Sequence, residues 1–335
     1  MSRITEIAAT SHTLSLTAME EASRLGEREA GLDHMLLALV VNEQVAGQVL
    51  RSLGVTLQSA REAVAAQHAD QLASLGITTE APPAGRITFH ETGDYQWGEQ
   101  ALGVIRRSAE GKKRGDAAAV LRELVAEPSG FVEAILLRLN ITPREVTERL
   151  DEIERFPARQ QHAFEAATLS GASESFVPAA VAEVWELLAD PARMPEWDPA
   201  IGRVEHPPGP PIPGATWRAE APSERPDGKP LRVKPEYRTL QVELVAAERP
   251  HLVEWRFSWP DAARSNARRV RIELEPAAGG THLRIALAWE RSEDPARRPR
   301  FRLGWLGRTL MRPAYRFVIW MQLTQLGGGV SRAFR

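Results

Sequence analysis

The sequence predicts a multidomain protein in which an all-α region of two four-helix units precedes an α+β domain with a curved antiparallel sheet and a long C-terminal helix. Two observations predict this fold class: a helical internal repeat in the first half and strand-like alternation in the second. At 335 residues the chain also exceeds one ordinary hydrophobic core. We therefore expect domains at residues 1–156 and 171–335, joined by a linker at residues 157–170.

Net charge distinguishes the two expected domains. Residues 1–156 carry 16 Lys and Arg against 23 Asp and Glu, a net charge of −7. Residues 157–335 carry the remaining 26 basic and 21 acidic residues, a net charge of +5. Because charge bears on association rather than on fold, we expect separate folding units with different partners.

A repeat with an offset of 86 residues organises the first domain. Gly54 and Asn140 each follow a helix, since both residue types tolerate the left-handed conformation, and Thr56 and Thr142 then cap the next helix. Apolar residues recur at helical spacing, which predicts four helices per copy, and the Pro- and Gly-containing stretch 74–92 links the copies. Identical residues at this offset include Leu16 and Leu102, Leu50 and Leu136, Leu53 and Leu139, Thr56 and Thr142, and Glu62 and Glu148.

Two segments of the first copy resemble the Clp N-terminal repeat. Residues 20–26 have the sequence EEASRLG and residues 31–39 have GLDHMLLAL, against a family pattern of E-E-A-x-x-L-G followed by G-T-E-H-L-L-L-x-L. The resemblance covers about residues 10–155 and implies a domain that recruits substrates and adaptors to AAA+ unfoldases. A peptide, or a Clp-type unfoldase or its substrate, is therefore the expected partner. No G-x-x-x-x-G-K-[ST] phosphate loop occurs in the sequence, so the ATPase motor itself is not expected.

The resemblance implies peptide-binding residues at Asp33 and His34. In one branch of the family, the acidic residue of T-E-H binds a phosphorylated arginine. Asp33 occupies that position in the first copy and Ala119 in the second, where no carboxylate is present to pair a guanidinium. The alternative is that Asp33 caps the second helix and His34 packs within it, since Asp before an apolar helix is usually a cap.

The second domain alternates in the manner of half-buried strands. Segments 253–259, 270–274 and 283–289 place apolar residues at every second position, and Gly279-Gly280 joins the last two as a hairpin. Several antiparallel strands with one apolar face require a large element to cover that face. A long C-terminal helix would provide this cover.

Helices and a motif in the second domain support a second resemblance. The spacing predicts a short helix over 178–188 and a long one over 301–326, which Pro313 should break or kink. Residues 184–199, VWELLADPARMPEWDP, resemble the polyketide cyclase/dehydratase branch of the START-like (SRPBCC) superfamily, with its V-W-x-x-L-x-D-P-x-x-x-P-x-W-x-P opening. The resemblance covers about residues 170–330. It implies the helix-grip fold, in which a curved sheet wraps a long C-terminal helix.

The helix-grip fold implies a cavity between sheet and long helix, and a hydrophobic small molecule as its ligand. Aromatic side chains offer broad apolar surfaces suited to a polycyclic or acyl ligand. For each single residue the alternative is packing in a solid core, so only the set as a whole favours a cavity. The expected lining residues are Trp217, Trp255, Phe257, Trp259, Trp289, Tyr315 and Trp320.

Motifs of catalytic and metal sites are absent from the sequence. It contains no H-E-x-x-H, G-x-S-x-G or G-x-G-x-x-G, and its eight histidines lack ligand spacing, so neither a metal nor a cofactor is expected. A cyclase would need groups in the cavity that move protons, for which Tyr237 and His251 are weak candidates. Strand alternation predicts that His251 shares the face of Val253 and Trp255, while Arg256 points to the opposite face.

The C-terminal segment is strongly basic. Residues 295–335 contain nine arginines and no acidic residue, interleaved with aromatic residues. Such a helix lies on an anionic membrane, meets an acidic partner, or simply solvates its arginines. Nucleic acid is not expected, because no recognition motif accompanies the charge. The absence of cysteine and of an export signal predicts a cytoplasmic location, and the longest apolar run, Met35–Val41, is too short to span a membrane.

These patterns together favour a non-catalytic binding protein. The first domain would bind a protein or peptide and the second a hydrophobic small molecule, so that the chain acts as a ligand-responsive regulator or adaptor. One alternative is an enzyme similar to polyketide cyclases and dehydratases. The other is a co-chaperone or Clp protease adaptor that has no small-molecule ligand.

Overall fold

The computed structural model divides the chain into two compact units, Met1–Ala158 and Arg159–Arg335. Most of the expected linker 157–170 lies outside the described residues, as do residues 78–83 and 88–92 of the stretch 74–92. Residues 3–6 and 304–313 are described by their backbone only. The described residues are 3–77, 84–87, 95–111, 113–155, 169–205, 212–225, 228–262, 265–290 and 304–335.

The first unit contains the two predicted four-helix copies. The first copy comprises α1 (Arg3–Arg24), α2 (Leu32–Val40), α3 (Val45–Ser52) and α4 (Leu57–Ser74). The second comprises α5 (Glu99–Ala109), α6 (Ala117–Val125), α7 (Phe131–Arg138) and α8 (Pro143–Glu154). Two short parallel strands join the copies, β1 (Glu29–Ala30) and β2 (Gln96–Trp97).

The repeated turn chemistry predicted for the first unit is confirmed. Gly54 and Asn140 both have positive φ, 87° and 58°. The hydroxyls of Thr56 and Thr142 accept backbone N–H bonds from the third residue of α4 and α8, at 3.0 and 3.2 Å. The Glu145 carboxylate in turn accepts the Thr142 N–H at 2.7 Å, which completes the capping box.

Helix α2 lies at the centre of the first unit. Every residue of Leu32–Val40 is buried, because α2 contacts α1 and α3 to α7. A helix buried on all sides must place any polar residue against other protein groups, and Asp33 and His34 are its polar members.

The second unit contains the predicted antiparallel sheet, with seven strands among the described residues. The strand order is β3-β9-β8-β7-β6-β5-β4, and a bulge between Leu244 and Ala246 bends one strand. The strands are β3 (Ser170–Val177), β4 (Arg203–Val204), β5 (Thr216–Glu220), β6 (Thr239–Glu248), β7 (Leu252–Ser258), β8 (Ala267–Ala277) and β9 (Gly280–Glu290). The helices are α9 (Val181–Ala189), α10 (Met194–Trp197) and α11 (Gly304–Arg332), with 3₁₀ turns at Pro191–Arg193 and Pro235–Tyr237.

The two faces of the sheet differ as the alternation predicts. On the inner face Val253, Trp255 and Phe257 are fully buried in the core with α9 and α11. On the outer face Glu254 pairs with Arg269 and Arg271. Buried apolar rows on one face and cross-strand ion pairs on the other fix the register of the sheet.

Helix α11 differs from the prediction in two ways. It continues through Pro313, although proline removes one intrahelical hydrogen bond, and it ends at Arg332 rather than near residue 326. Packing explains the extension, since Leu326 and Val330 are buried against the sheet and α10. Gly329 permits this contact: a Cβ there would lie 2.3 Å from the Trp197 carbonyl oxygen. Tertiary contacts therefore outweigh the low helix propensity of the glycine run.

Candidate functional site

Three of the seven predicted lining residues lie in the solid core of the second unit. Trp255 and Phe257 are fully buried and Trp217 nearly so. The Trp255 indole N–H donates to the Leu188 carbonyl at 2.9 Å, and its ring meets Trp217 edge-on at 5.8 Å. These rings fasten α9 to the sheet and pack β5 against β7.

Tyr237, Trp259 and Trp289 form a half-buried group that we call the aromatic shelf. The indoles of Trp259 and Trp289 stack with centroids 5.9 Å apart and an interplanar angle of 11°, and Tyr237 meets Trp259 edge-on at 6.2 Å. The Trp289 indole N–H donates to Gln322 Oε1 on α11 at 3.1 Å. The shelf therefore lies where the sheet meets α11.

The two halves of α11 differ in contact with the sheet. In the second half, Ile319 and Leu323 are buried, and a Cβ at Gly171 of β3 would lie 2.7 Å from Ile319. Just before it, Tyr315 and Phe317 are 45% and 59% exposed. The predicted lining residue Trp320 is partly buried and Tyr315 is exposed, so the seven residues do not line one enclosed space within the described part of the chain.

A buried ion pair accompanies the shelf, and sequence reasoning did not identify it. Arg268 lies on β8, opposite Phe257 and Trp289 in the register of its two neighbours. Its guanidinium carbon is 4.2 Å from the centroid of the Phe257 ring, and it pairs with Asp198, which follows α10. Both charged side chains are buried. The alternation of side chains along β8 could have identified Arg268 from the sequence, because Arg268 lies two positions before the apolar Val270 and so on the same face of the strand.

Two donors remain unused, one on Arg268 itself and one on Trp197, the residue before Asp198. Arg268 Nε and the indole Nε1 of Trp197 are buried and have no hydrogen-bond partner among the described residues. Trp197 directly precedes Asp198, whose Oδ1 also accepts the Ala200 backbone N–H at 3.0 Å. Buried polar groups are nearly always paired, so each of these two donors calls for an explanation.

The structure separates the two candidate proton-transfer residues. Tyr237 belongs to the aromatic shelf. His251, in contrast, lies in the turn before β7 and is exposed, so the expectation that it shares the face of Val253 and Trp255 is wrong. Alternation begins only at Leu252, where pairing with β8 begins, and it does not extend into the turn.

Asp33 and His34 form a second candidate site, together with His68. The Asp33 carboxylate lies 3.0 Å from His34 Nδ1 and 2.9 Å from His68 Nε2. Gly31, not Asp33, is the N-cap residue of α2, so the capping alternative is wrong. His34 Nδ1 is also 3.2 Å from the Gly31 amide nitrogen, a contact that needs a lone pair on Nδ1 and so alternates with the Asp33 bond.

The charges of this triad stabilise one another. Burial raises the pKa of Asp33, but hydrogen bonds from His34 and His68 outweigh burial and hold that pKa well below its ordinary value. Burial lowers the pKa of His34, yet the bond to Asp33 outweighs it and the pKa is raised. The bond to Asp33 also raises the pKa of His68. The acidic side chain is thus engaged by two imidazoles and is nearly inaccessible to solvent.

The described residues contain no cluster of three or more His, Cys, Asp or Glu side chains that would hold a metal ion. Within the same residues, no helix combines the length and the hydropathy needed to cross a bilayer.

Two family models match the chain. Residues 11–87 match the Clp repeat (R) N-terminal domain, and residues 168–319 match the family described as polyketide cyclase / dehydrase and lipid transport. Both resemblances seen in the sequence are confirmed. No curated protein matches the chain significantly.

Solved structures similar to parts of the chain belong to both groups. The N-terminal domain of the caseinolytic protease associated chaperone ClpD from Arabidopsis thaliana is 16% identical, with a TM-score of 0.32, over 47% of this chain and 94% of that one. The Polyketide_cyc-like protein Cgl2372 from Corynebacterium glutamicum is 17% identical, with a TM-score of 0.31, over 51% and 92%. Protein CV1439 from Chromobacterium violaceum is 15% identical, with a TM-score of 0.31, over 48% and 96%.

Proposed function

We propose that this chain, which joins a Clp repeat N-terminal domain to a domain of the polyketide cyclase / dehydrase and lipid transport type, is a non-catalytic binding protein. The first domain contacts a peptide or a protein of a Clp-type system. The second domain binds a hydrophobic small molecule between the aromatic shelf and the exposed part of α11, and the ligand regulates the contact made by the first domain.

The main support for the ligand proposal is that some apolar residues of α11 are buried against the sheet while others are exposed to solvent. Where Ile319 and Leu323 pack, the helix leaves no room for a guest. Just before Ile319 in the helix, Tyr315, Phe317 and Val318 expose 45%, 59% and 41% of their surface. Adjacent large apolar side chains in water commonly mark a binding surface. A flat apolar ligand stacked on Trp259 and Trp289 would bury the exposed surface of these rings.

The test uses N-phenyl-1-naphthylamine, a neutral probe that fluoresces when it leaves water. We expect saturable binding to the full chain and, because Trp259→Ala removes one wall of the site, an affinity lowered about tenfold in that variant. Trp97→Ala is the matched control, since this indole lies in the first domain, where it donates to Ser15 Oγ at 2.9 Å. Absence of saturable binding, or equal affinity of the two variants, would contradict the ligand role and favour an adaptor without a small-molecule ligand.

For the first domain we propose that the Asp33 site accepts a guanidinium only when His68 leaves it. His68 is the more exposed of the two imidazoles, with 46% of its side chain accessible against 2% for His34. An arginine-phosphorylated peptide should therefore bind His68→Ala more tightly than wild type, and Asp33→Asn should lose this binding in either background. Calorimetric titration with the unphosphorylated peptide is the control. Undiminished binding to Asp33→Asn would place the peptide elsewhere on the domain.

The basic segment 295–335 supports a third proposal, binding to an anionic membrane surface. Its nine arginines accompany the exposed apolar residues of α11, a combination that favours anionic lipid. The chain should co-sediment with phosphatidylglycerol vesicles but not with phosphatidylcholine vesicles, and Arg316→Glu should weaken the binding. No binding to either vesicle would leave an acidic protein as the partner of this segment.

A further inference from the structure

We propose that Arg268, Asp198 and Trp197 form a polar anchor inside the hydrophobic site, which binds a neutral acceptor oxygen of the ligand. The inference rests on the proposed function and specifies its ligand class: a flat apolar molecule that carries a ketone, ester, ether or hydroxyl oxygen. Arg268 Nε–H and the Trp197 indole N–H are the donors that would bind this oxygen.

The unpaired donors are the first support. Arg268 and Trp197 are 5% and 1% exposed, and neither Arg268 Nε nor Trp197 Nε1 has a hydrogen-bond partner in the described part of the chain. Leaving a buried donor unpaired is costly, and proteins keep such groups where a ligand or an ordered water completes them. By contrast, Arg269 of the same strand points to the outer face and pairs with Glu254 and Glu290.

The location of Arg268 is the second support. On the inner face its cross-strand neighbours are Phe257 and Trp289, so it adjoins one ring of the aromatic shelf. A ligand stacked on the shelf would bring its polar group next to this guanidinium. Pockets for small molecules commonly combine an apolar wall with a few polar groups that fix orientation.

The net charge of the Arg268–Asp198 pair favours a ligand with a neutral acceptor oxygen over an anionic ligand. Asp198 is fully buried and its carboxylate neutralises the Arg268 guanidinium. A ligand carboxylate would add a net negative charge to a buried site, which is strongly unfavourable without a further cation. A carbonyl or hydroxyl oxygen accepts the unused N–H groups and leaves the ion pair intact.

The experiment measures how tightly the full chain binds two neutral probes of the same shape, and a third probe that is an anion. 2-Acetylnaphthalene presents a ketone oxygen where 2-isopropenylnaphthalene presents a methylene group, and 2-naphthoate presents an anion. Equilibrium dialysis gives the ratio of the affinities for ketone and hydrocarbon. We expect this ratio to fall about tenfold when the anchor is removed, as one charge-assisted hydrogen bond predicts. In wild type, 2-naphthoate should bind less tightly than the ketone.

Two variants remove the anchor in different ways. Asp198→Asn with Arg268→Met removes the ion pair but keeps the oxygen that accepts the Ala200 N–H, and exchanging a buried ion pair for less polar groups is often tolerated. Trp197→Phe removes the indole N–H, together with part of the ring, and leaves the ion pair in place, which keeps a test available should the double variant not fold. Arg271→Met, on the outer face of the same strand, is the matched control and should keep the wild-type ratio.

The outcomes separate this inference from the proposed function. If wild type binds both probes and all variants keep the same ratio, or if 2-naphthoate is the tightest ligand, the anchor is overturned while the hydrophobic site stands. If wild type binds neither probe, the proposed ligand site itself fails. A lowered carbonyl stretching frequency of the bound ketone in wild type, absent in the double variant, would support the anchor directly.

Discussion

Asp33 and Arg268 are both charged side chains that the fold removes from water, and their partners differ. Arg268 pairs with the carboxylate of Asp198 in the second domain. Asp33 faces His34 and His68, whose charge depends on pH. The stability that the Asp33 site contributes therefore depends on pH.

The pH dependence of the Asp33 site has a definite sign. The raised pKa of His68 means that its bond to Asp33 stabilises the fold fully below pH 6.5 and that this contribution is lost as pH rises through the folded-state pKa. The lowered pKa of Asp33 means that its contribution is present above pH 3.8 and is lost in stronger acid. We expect His68→Gln to lower the free energy of unfolding by on the order of 0.5 kcal/mol more at pH 5.5 than at pH 9, since His68 is half-exposed.

Urea unfolding at the two pH values measures this difference. Some loss should remain at pH 9, because the His68 ring also packs against Phe131 at 5.3 Å. In an Asp33→Asn background the effect of His68→Gln should no longer depend on pH. An equal loss at both pH values in the wild-type background would show that His68 acts through packing alone.

At the scale of one element, alanine substitutions of two adjacent glycines in α11 distinguish the effect of helix propensity on stability from the effect of packing. A Cβ at Gly329 would lie 2.3 Å from the Trp197 backbone oxygen, whereas the nearest atom to a Cβ at Gly328 is Arg332 Nη2 at 4.0 Å. Gly328→Ala should raise the free energy of unfolding by up to about 1 kcal/mol. Gly329→Ala gains the same propensity but must move α10 or α11, so it should lower stability by about 1–3 kcal/mol.

Thermal unfolding of the two variants, followed by tryptophan fluorescence, tests this prediction. The substitutions are chemically identical and one position apart, so each serves as the control of the other. Similar stabilities would mean that α11 does not hold the close contact with Trp197 described here.

The elements most easily predicted from sequence were those whose pattern is local. The Thr142–Glu145 capping box and the alternation of β7 to β9 each follow from a few adjacent residues. The end of α11 could not be predicted, because the contact of Gly329 with Trp197 joins residues 132 positions apart. The Arg268–Asp198 pair was missed for a similar reason. Strand alternation places Arg268 on the inner face, but Asp198 is distant in the sequence and comes next to Arg268 only in the folded domain.

At the scale of the molecule, the two units can be followed separately during unfolding. Each unit has its own buried core, and their segments 1–156 and 157–335 have net charges of −7 and +5. Eight of the nine tryptophans lie in the second unit, with Trp97 alone in the first, while most helical residues belong to the first. Tryptophan fluorescence and far-UV circular dichroism therefore follow different units.

We expect the two probes to give non-coincident urea transitions, because separate cores unfold independently. Fragments 1–158 and 159–335 should reproduce the circular dichroism and fluorescence transitions of the full chain, respectively, at 0.5 M salt, where attraction between opposite charges is screened over distances beyond about 5 Å. At low salt, a midpoint higher in the full chain than in the fragments would mean that the oppositely charged units stabilise each other. Coincident transitions at both salt concentrations, together with fragments that do not fold, would contradict the two-unit organisation on which the separate binding roles depend.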